Sequence, residues 1–468
     1  MRGDDGFLYG TMSGGYGTGA TDGTLFRIGT DGLGFEVRHS FATSPGSRPV
    51  GGLLKASDGM LYGVTSEGGA SGNGVIYRFN PALSDYTILH SLIGSEGRTP
   101  EAGLLEGSDG WLYGTTSSGG EYWGGTLFKV DRTTGALATL RAFAPADGTA
   151  PIAALIRGSD GYLYGTCSKS GLLGGGTVFR IAEDGSGFSV LAHLDASTIE
   201  GILPRTGLVR AGDYFYGTTE AGGATGSGTV FRVAVDGSQF ATLHSFSLAV
   251  DGDRPIGPLH VHSDGLLYGV AFWGGPDGGG TLFRLGTDGS AFEVIRSFDD
   301  SSCPDGCRPL GGLVDGGDGF LYGVTSGDWH DGSSMVYRLN PATLAFESVA
   351  ALQSGSEPQG SLLRKGSSFY GGTRQGGANY AGSIFRVDLP PGGSVTTLHS
   401  FETSGPEGRY ANGGLVEGSD GLIYGTTTAG GTGDRGTIFH IGVDGRSFST
   451  VFSFSSFEAG ARTAPSSS

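Results

Sequence analysis

The sequence predicts an all-β protein, a single β-propeller built of four-stranded blades. The first reason is a Tyr-Gly pair that closes a short apolar run nine times, 48 to 54 residues apart, at Tyr9, Tyr62, Tyr113, Tyr164, Tyr216, Tyr268, Tyr322, Tyr370 and Tyr424. The second reason is that Asp-Gly turns separate the apolar runs, and the third is the absence of helical periodicity. Repeats of this length with four strands each are typical of propeller blades around a central channel.

One repeat, residues 51–92, shows the order of the elements. They follow one another as strand 51–54, turn 57–59, strand 61–65, glycine-rich loop 68–74, strand 75–79, turn 80–84 and strand 86–92. Asp-Gly between apolar runs indicates a hairpin, because glycine adopts the positive φ that such turns require. Each repeat therefore predicts four antiparallel strands.

The number of blades depends on how the two ends of the chain meet. Nine repeats of roughly 51 residues predict nine blades in one domain that spans 1–468. The first repeat lacks an inner strand before Asp5, and the tail 463–468 ends where the next inner strand would begin. If the tail docks against the first repeat it closes the ring; otherwise an edge stays open or the count is eight. We prefer nine blades.

Composition excludes several classes of function. The net charge of -17 repels phosphate backbones, so we expect neither nucleic acid nor a membrane as a partner. No apolar stretch of 18 residues predicts a transmembrane helix. Phosphate-binding loops, nucleophile elbows and the His-Glu-x-x-His and Cys-x-x-Cys motifs are missing from the sequence, which removes support for several enzyme classes. We expect a monomer.

Three cysteines are too few for a disulfide scaffold. Cys303 and Cys307 frame a short Pro-Asp-Gly loop that a disulfide would close, and Cys167 stays single. Such a pair favours an oxidising compartment outside the cytoplasm.

A longer string also recurs: Ser-Asp-Gly-x-Leu-Tyr-Gly-Thr-Thr-x-x-Gly-Gly, then Gly-Thr-x-Phe-Arg and Leu-His-Ser-Phe, with close matches at 108–120, 228–232 and 243–246. Over nearly the whole chain this resembles the Gloeo-Verruco (GloVer) tandem repeat of exported, often surface-anchored bacterial proteins, which is β-propeller-like. The resemblance implies a secreted or cell-surface location. It supplies no functional residues.

Charged residues recur at fixed places in the repeats. Aspartates occupy the first turn, at Asp58, Asp109, Asp160, Asp213, Asp264, Asp318 and Asp420, and a cation ends most third strands, as at Arg78, Lys129 and Arg284. Both places lie at the same end of an up-and-down blade, so we expect Asp–cation pairs there. Histidines recur on the fourth strand, where Arg141 and Arg296 replace two of them, and this exchange indicates a structural role.

Arginines also precede the inner strands, at Arg48, Arg98, Arg254, Arg308, Arg409 and Arg462. They lie on the opposite face, at the mouth of the channel. A partial arginine ring is suited to a carboxylated or sulfated ligand. The alternative is ion pairing with loop acids such as Glu67 and Glu220.

Function on a repetitive scaffold is expected where repeats differ, and repeats six and seven differ most. Their loops carry tryptophans, carboxylates, a histidine and an arginine on one face, a combination suited to a sugar ring and its hydroxyls. The predicted ligand-binding residues are Phe272, Trp273, Asp277, Arg308, Trp329, His330, Asp331, Trp123 and Arg409. The alternative is that the loop tryptophans cover gaps between blades.

Catalysis has weaker sequence support. Asp328, His330 and Asp331 are candidates for a metal site or for acid–base hydrolysis of a glycosidic bond. A second candidate set, for uronate elimination, is His260, His262 and Tyr410 together with Arg409. We predict no metal and no cofactor; calcium is an option only if carbonyl groups of the Asp-Gly turns converge.

The favoured function is an exported propeller that binds a polysaccharide or other glycan, or a surface polymer, through the loops of one face. A polysaccharide-cleaving lyase or glycoside hydrolase is the first alternative. A structural or adhesive module of an anchored surface protein is the second.

Overall fold

The protein is a β-propeller of nine blades, in agreement with the preferred count. A computed structural model describes residues 1–13, 23–29, 36–41, 46–195, 200–301, 303, 305–327, 334–352, 357–389, 394–411, 414–418 and 420–454. Their strands form nine antiparallel sheets, and in each the strands pair in sequence order. The tail 463–468, which we expected at the closure, lies outside the described residues.

The first five blades have the following strands, from the inside of the ring outwards. Blade 1 has Leu8–Ser13, Gly23–Ile28 and Glu36–Ser40; blade 2 has Ser47–Lys55, Leu61–Glu67, Val75–Asn80 and Asp85–Ser91; blade 3 has Leu105–Glu106, Leu112–Thr116, Thr126–Val130 and Leu137–Ala142; blade 4 has Ile156–Arg157, Tyr162–Cys167, Gly174–Ala182 and Ser189–Asp195; blade 5 has Val209–Ala211, Tyr214–Thr219, Thr229–Ala234 and Phe240–Ser245. A 3-10 helix, Pro145–Asp147, connects blades 3 and 4.

The remaining blades follow the same plan. Blade 6 has His260–Val261, Leu266–Ala271, Gly278–Gly286 and Glu293–Asp299; blade 7 has Pro309–Asp315, Leu321–Thr325, Met335–Leu339 and Phe346–Ala351; blade 8 has Pro358–Lys365, Ser368–Thr373, Ser383–Asp388 and Val395–Ser400; blade 9 has the inner pieces Arg409–Ala411 and Val416–Glu417, then Ile423–Ala429, Thr437–Ile441 and Ser449–Ser453. At the inner edge of blade 1, a single bridge pairs Arg2 with Leu8.

This strand order gives the disc two faces. Turns between inner and second strands, and between third and outer strands, lie on one side, which we call the turn face. Loops between second and third strands, and the connections from one blade to the next, lie on the other side, which we call the loop face.

The Tyr-Gly pair forms the centre of each blade. Its tyrosine is buried in all nine blades. Its glycine lies directly across from a third-strand aromatic ring, as Gly269 does from Phe283. A Cβ on Gly269 would lie 2.6 Å from Cζ of Phe283, so a larger residue would displace the ring. The repeated glycine thus makes room for a repeated aromatic core residue.

Neighbouring blades are joined by the same tyrosine. The Tyr164 hydroxyl of blade 4 lies 2.6 Å from the carbonyl oxygen of Val235 in the outer turn of blade 5. At the closure of the ring, the Tyr424 hydroxyl of blade 9 donates to the carbonyl of Gly29 in blade 1 at 3.2 Å. Leu8 and Ile28 pack in one buried cluster with Tyr424. Blades 9 and 1 therefore meet through the contact that joins other blades.

A cavity of about 170 Å³ lies at this closure. Its lining includes Met1, Gly10 and Phe26 from blade 1 and Tyr424 and Ile438 from blade 9. It lies beside the short inner edge of blade 1, the place where the sequence predicted a missing strand.

The aspartates of the turn face bind tyrosine, which corrects the expectation of general Asp–cation pairing. In blade 7, Asp318 Oδ1 accepts the Phe320 N–H and Oδ2 accepts the Tyr322 hydroxyl at 2.7 Å. The same Tyr–Asp bond, at 2.6 to 2.9 Å, occurs in blades 1, 2, 3, 4, 6 and 9. Two Asp–cation contacts of the described turns, Arg27–Asp5 and Lys129–Asp109, are long, at 3.9 Å.

The third-strand cations have other partners. Arg284 and Arg338 pair with Glu293 and Glu347 on the outer strands of their own blades. Arg180 donates to the Val235 carbonyl of the next blade at 2.7 Å. Because these arginines bind other groups, the tyrosine hydroxyl is the side chain that donates a hydrogen bond to the turn aspartate.

Burial keeps these tyrosines protonated. Burial, followed by the hydrogen bond to the turn aspartate, raises the pKa of Tyr9, Tyr268 and Tyr322 to about 12. A phenol that stays neutral remains a hydrogen-bond donor to the carboxylate.

The outer-strand histidines are structural, as predicted. The His244 ring stacks on Phe292 of the next blade with centroids 3.3 Å apart, and its Nε2 lies 2.8 Å from Asp251. Arg141 takes this place in blade 3, where it lies over the Phe188 ring and pairs with an aspartate. Imidazole and guanidinium exchange because both are flat and both bind a carboxylate.

Candidate functional site

Exposed apolar side chains are concentrated on the loop face. Among the described residues, the large apolar side chains exposed there are Ile93, Tyr122, Trp123, Leu172, Leu173, Leu248, Val250, Ile256 and Tyr380. Two further exposed apolar side chains of the described residues lie elsewhere, Leu83 on the turn face and Val416 on an inner strand. Exposed apolar side chains concentrated on one face favour an interaction surface there.

A wide depression of this face lies at blade 6. Its volume is about 770 Å³, and it lies between the connection that enters blade 6 and the loop between the second and third strands of that blade. The residues that define its chemistry are Leu248, Asp253, Arg254, Trp273 and Asp277. We call it the blade 6 pocket.

The backbone holds Trp273 in place. Asp253 donates its N–H to the carbonyl of Trp273 at 2.7 Å, and Trp273 returns a bond to the carbonyl of Asp253 at 3.1 Å. Phe272 packs edge-on against the indole, with centroids 5.2 Å apart. The half-buried indole is therefore fixed at the pocket wall.

Arg308 supports the indole from below. Its guanidinium carbon lies 4.3 Å from the centre of the Trp273 ring, and Nη2 donates to Asp300 at 3.1 Å. Arg308 is buried, and its Nε and Nη1 lack a hydrogen-bond partner among the described residues. Arg308 and Trp273 are therefore neighbours, as predicted, and this arginine stacks on the indole without facing solvent.

Charged groups of the pocket come from both sides. Arg254 exposes 56% of its side chain, and its Nε lies 3.8 Å from Asp253. Asp277 is exposed on the opposite wall. One indole face, two carboxylates and one guanidinium can stack on a sugar ring and bind its hydroxyls.

Sequence reasoning did not assign Leu248 and Asp253 to the site, and it placed Arg254 only in the arginine series. Leu248, Ala249 and Val250 form an apolar run between Ser247 and Asp251 in this connection. This apolar insertion is the signal that identifies the connection as part of the site.

Several predicted residues lie outside the described part of the chain: Asp328, Trp329, His330 and Asp331. Their metal and acid–base roles stay predictions.

The predicted uronate-elimination set is not assembled. His262 belongs to the turn face, with Nδ1 3.0 Å from Asp264, and burial lowers the pKa of its neighbour His260. Arg409 and Tyr410 belong to the loop face, three blades further along, where Arg409 pairs with Asp434 at 2.9 Å. The two halves of the set lie on opposite faces of the disc because inner-strand turns and blade connections are at opposite ends of a blade.

Among the residues that the structure describes, the arginine series is divided between partners and does not form a ring of free cations; Arg462 lies outside the described residues. Arg48 pairs with Glu67 at 2.5 Å, and a further arginine, Arg205, pairs with Glu220 at 2.6 Å. Arg98 lies over Trp123, 4.9 Å from the ring centre. Ion pairing with loop acids, the alternative interpretation, therefore describes part of the series.

The cysteines form the expected disulfide between Cys303 and Cys307, and Cys167 is buried and free. Asp300 lies close to both bonded sulfurs. Sulfurs bonded to each other are not thiolate ligands, so this cluster does not constitute a metal site. In the Asp-Gly turns between inner and second strands, backbone N–H groups within the turn donate to the carboxylates of Asp5, Asp58, Asp109, Asp160, Asp264, Asp318 and Asp420. The calcium option stays untested.

Among the described residues, no helix has the length and apolar character needed to cross a membrane. The family model described as the Gloeobacter/Verrucomicrobia repeat matches residues 1–215, 157–357 and 303–467, so the chain belongs to that family. A search of curated proteins found no match.

Solved structures similar to the chain include the following three. The periplasmic gluconolactonase of Pseudomonas aeruginosa is 19% identical, with 74% of this chain and 96% of that chain covered and a TM-score of 0.41. Oligogalacturonate lyase of Vibrio parahaemolyticus is 13% identical, with 91% and 95% covered and a TM-score of 0.40. TolB of Acinetobacter baumannii is 16% identical, with 61% and 62% covered and a TM-score of 0.32. These remote likenesses do not bear on the chemistry of this chain.

Proposed function

We propose that this member of the Gloeobacter/Verrucomicrobia repeat family is an exported β-propeller that binds a glycan or surface polymer through its loop face. The observation that carries the proposal is the uneven distribution of exposed apolar side chains, which are concentrated on the loop face. A face that exposes aromatic rings in water is stabilised when a ligand covers them.

The blade 6 pocket supplies the chemistry for a sugar. Trp273 offers a flat apolar surface to the C–H groups of a pyranose ring, and Asp253, Arg254 and Asp277 offer acceptors and donors to its hydroxyls. Because the pocket is open and shallow, it can accept a sugar in the middle of a polysaccharide chain as well as one at the chain end.

Export is supported by the disulfide. The Cys303–Cys307 bond lies in the connection that carries Arg308, directly below Trp273. Disulfides persist in oxidising compartments outside the cytoplasm. We therefore propose a secreted or cell-surface location.

A binding screen with a matched pair of tryptophan variants tests the function. Wild type is screened on a glycan array and against soluble β-glucan, polygalacturonate and ulvan by affinity electrophoresis. Trp273→Ala is expected to weaken binding, whereas Trp111→Ala, on the turn face, leaves it unchanged in the fraction that stays folded. Wild-type affinity in Trp273→Ala, or loss of binding in folded Trp111→Ala, contradicts the proposed site.

Product formation distinguishes binding from cleavage. The same polymers are assayed for new reducing ends and for unsaturated uronate products. Binding without products supports the proposal. Turnover that depends on Trp273 replaces it with the polysaccharide-cleaving alternative, and the absence of both binding and turnover favours the structural module.

A further inference from the structure

Most of the described loops between second and third strands have the same turn at their tips. In blade 2 the N–H of Gly72 donates to the Gly69 carbonyl at 3.3 Å, and the N–H of Gly74 donates to the Gly68 carbonyl at 3.0 Å. The tip residue, Gly72 here, has a positive φ of 73°. The same two bonds recur in blades 3, 4, 6, 8 and 9.

Glycine is the expected residue at such a tip, because a side chain in the left-handed region meets steric strain. Blades 2, 4, 5 and 6 have glycine there, at Gly72, Gly174, Gly226 and Gly278. Blade 9 has Asp434, a residue type that tolerates this conformation, and its carboxylate binds Arg409 and the N–H of Gly430.

Blades 3 and 8 depart from this pattern. Their tip residues are Trp123, with φ of 60°, and Tyr380, with φ of 58°. The two side chains are 67% and 72% exposed. A bulky aromatic residue in a strained conformation, with most of its ring in water, is not explained by packing within the fold. Strain of this kind points to a functional contact.

Both tips lie on the loop face, and they are far from the blade 6 pocket around the ring. Blade 3 is three blades before blade 6, and blade 8 is two blades after it. A short oligosaccharide in the pocket at Trp273 contacts one sector of the disc. A polymer that crosses the face passes several sectors.

We propose that Trp123 and Tyr380 are two further sugar-stacking sites, and that the protein binds a repeating polysaccharide through three separated contacts at once. This inference rests on the proposed function. Contacts that are linked through one polymer act at high effective concentration, so modest sites together give tight binding.

The two chemistries at the tips differ in detail. The guanidinium of Arg98 lies below Trp123, 4.9 Å from its ring centre, so one face of the indole is covered and the other is open. Tyr122, 48% exposed, adds a second ring at the same tip. Tyr380 stands alone at its tip.

The test compares polymer with oligomer in the full chain. The variants are Trp273→Ala, Trp123→Gly/Tyr380→Gly and wild type, and the probes are soluble β-glucan, polygalacturonate and ulvan together with the hexasaccharide of each. Glycine at the tips preserves the fold because four other blades have glycine there.

For the double tip variant we expect an unchanged hexasaccharide Kd and polymer binding weaker by roughly 10- to 100-fold. Wild-type affinity of this variant for the polymer, with loss of binding in Trp273→Ala, overturns the multivalent inference and leaves the proposed function intact. Wild-type affinity in both variants, or no binding of any probe to wild type, overturns both.

Discussion

The turn face and the loop face are made by the same repeats, yet they use their residues in opposite ways. On the turn face, aspartate, tyrosine and arginine satisfy one another, as Asp318 and Tyr322 do within one hairpin. On the loop face, aromatic rings such as Tyr380 lie in water and in strained backbone. Recurrence of a residue therefore indicates structure here, and departure from recurrence indicates function.

The largest expected difference comes from the same substitution made on each face. Tyr322→Ala removes a fully buried ring and is expected to lower the free energy of unfolding by about 3–5 kcal/mol. Tyr380→Ala removes a ring that packs on little, and is expected to change it by less than about 0.5 kcal/mol. Thermal and urea unfolding measure both.

Equal destabilisation by the two tyrosine variants would remove the distinction between the faces. The melting temperature of wild type under the same buffer conditions is the reference for both.

Alkaline pH is expected to act on the buried tyrosines that bind the turn-face aspartates. The folded-state pKa of Tyr9, Tyr268 and Tyr322 is about 12, above the ordinary value of 10.0. Between these values the unfolded chain has lost protons that the folded protein retains, so stability falls as pH rises from 10 to 12. The melting temperature is measured across this interval, with tyrosinate absorbance as the readout of ionisation.

If those tyrosines ionise near pH 10 while the protein stays folded, burial and the tyrosine–aspartate bond do not hold the phenol neutral.

A smaller effect follows from removing one aspartate from each face. Asp318→Ala leaves the Tyr322 hydroxyl and the Phe320 N–H without their acceptor, and is expected to cost about 1–3 kcal/mol of stability. Asp277→Ala on the loop face is expected to cost under about 0.5 kcal/mol and to weaken binding at the blade 6 pocket. Unfolding curves and binding isotherms of both variants make the comparison.

Loss of stability in Asp277→Ala without loss of binding would assign this loop acid a structural role. Loss of binding in folded Asp318→Ala would assign the turn face a part in recognition.

A further effect has the opposite sign. Tyr380→Gly relieves the left-handed strain at the tip and is expected to raise stability by about 1 kcal/mol while it weakens polymer binding. Differential scanning calorimetry of this variant beside Tyr380→Ala isolates the backbone contribution, because both lack the ring. A melting temperature of the glycine variant below that of wild type would show that the tyrosine ring stabilises the loop.

The blades could be predicted from sequence because their signals are local. The Asp-Gly turns and the Tyr-Gly pairs act within one hairpin, and the structure has the strands where these signals indicated. The bond from Tyr322 to Asp318 was predictable as well, because a spacing of four residues around a tight turn brings the two side chains together. Opposite charge led us to expect the third-strand cation as the partner of the aspartate.

The site was predicted only in part, because it depends on which connections meet across blades. Trp273 and Arg308 differ from the repeat and were identified for that reason. Arg254 and Leu248 belong to a connection whose position beside Trp273 follows from backbone pairing in the folded ring. The strain at Trp123 becomes visible when the tips are compared by φ, and glycine at equivalent positions of other repeats was its sequence signal.

The bond from Tyr424 to Gly29 has a consequence for how such proteins change in size. Because the last and first units meet as ordinary neighbours, the ring closes through the same tyrosine contact that joins units elsewhere. Tandem duplication of one unit would then give a wider disc with a broader central opening, and the recognition loops would be carried further apart without redesign of the interior.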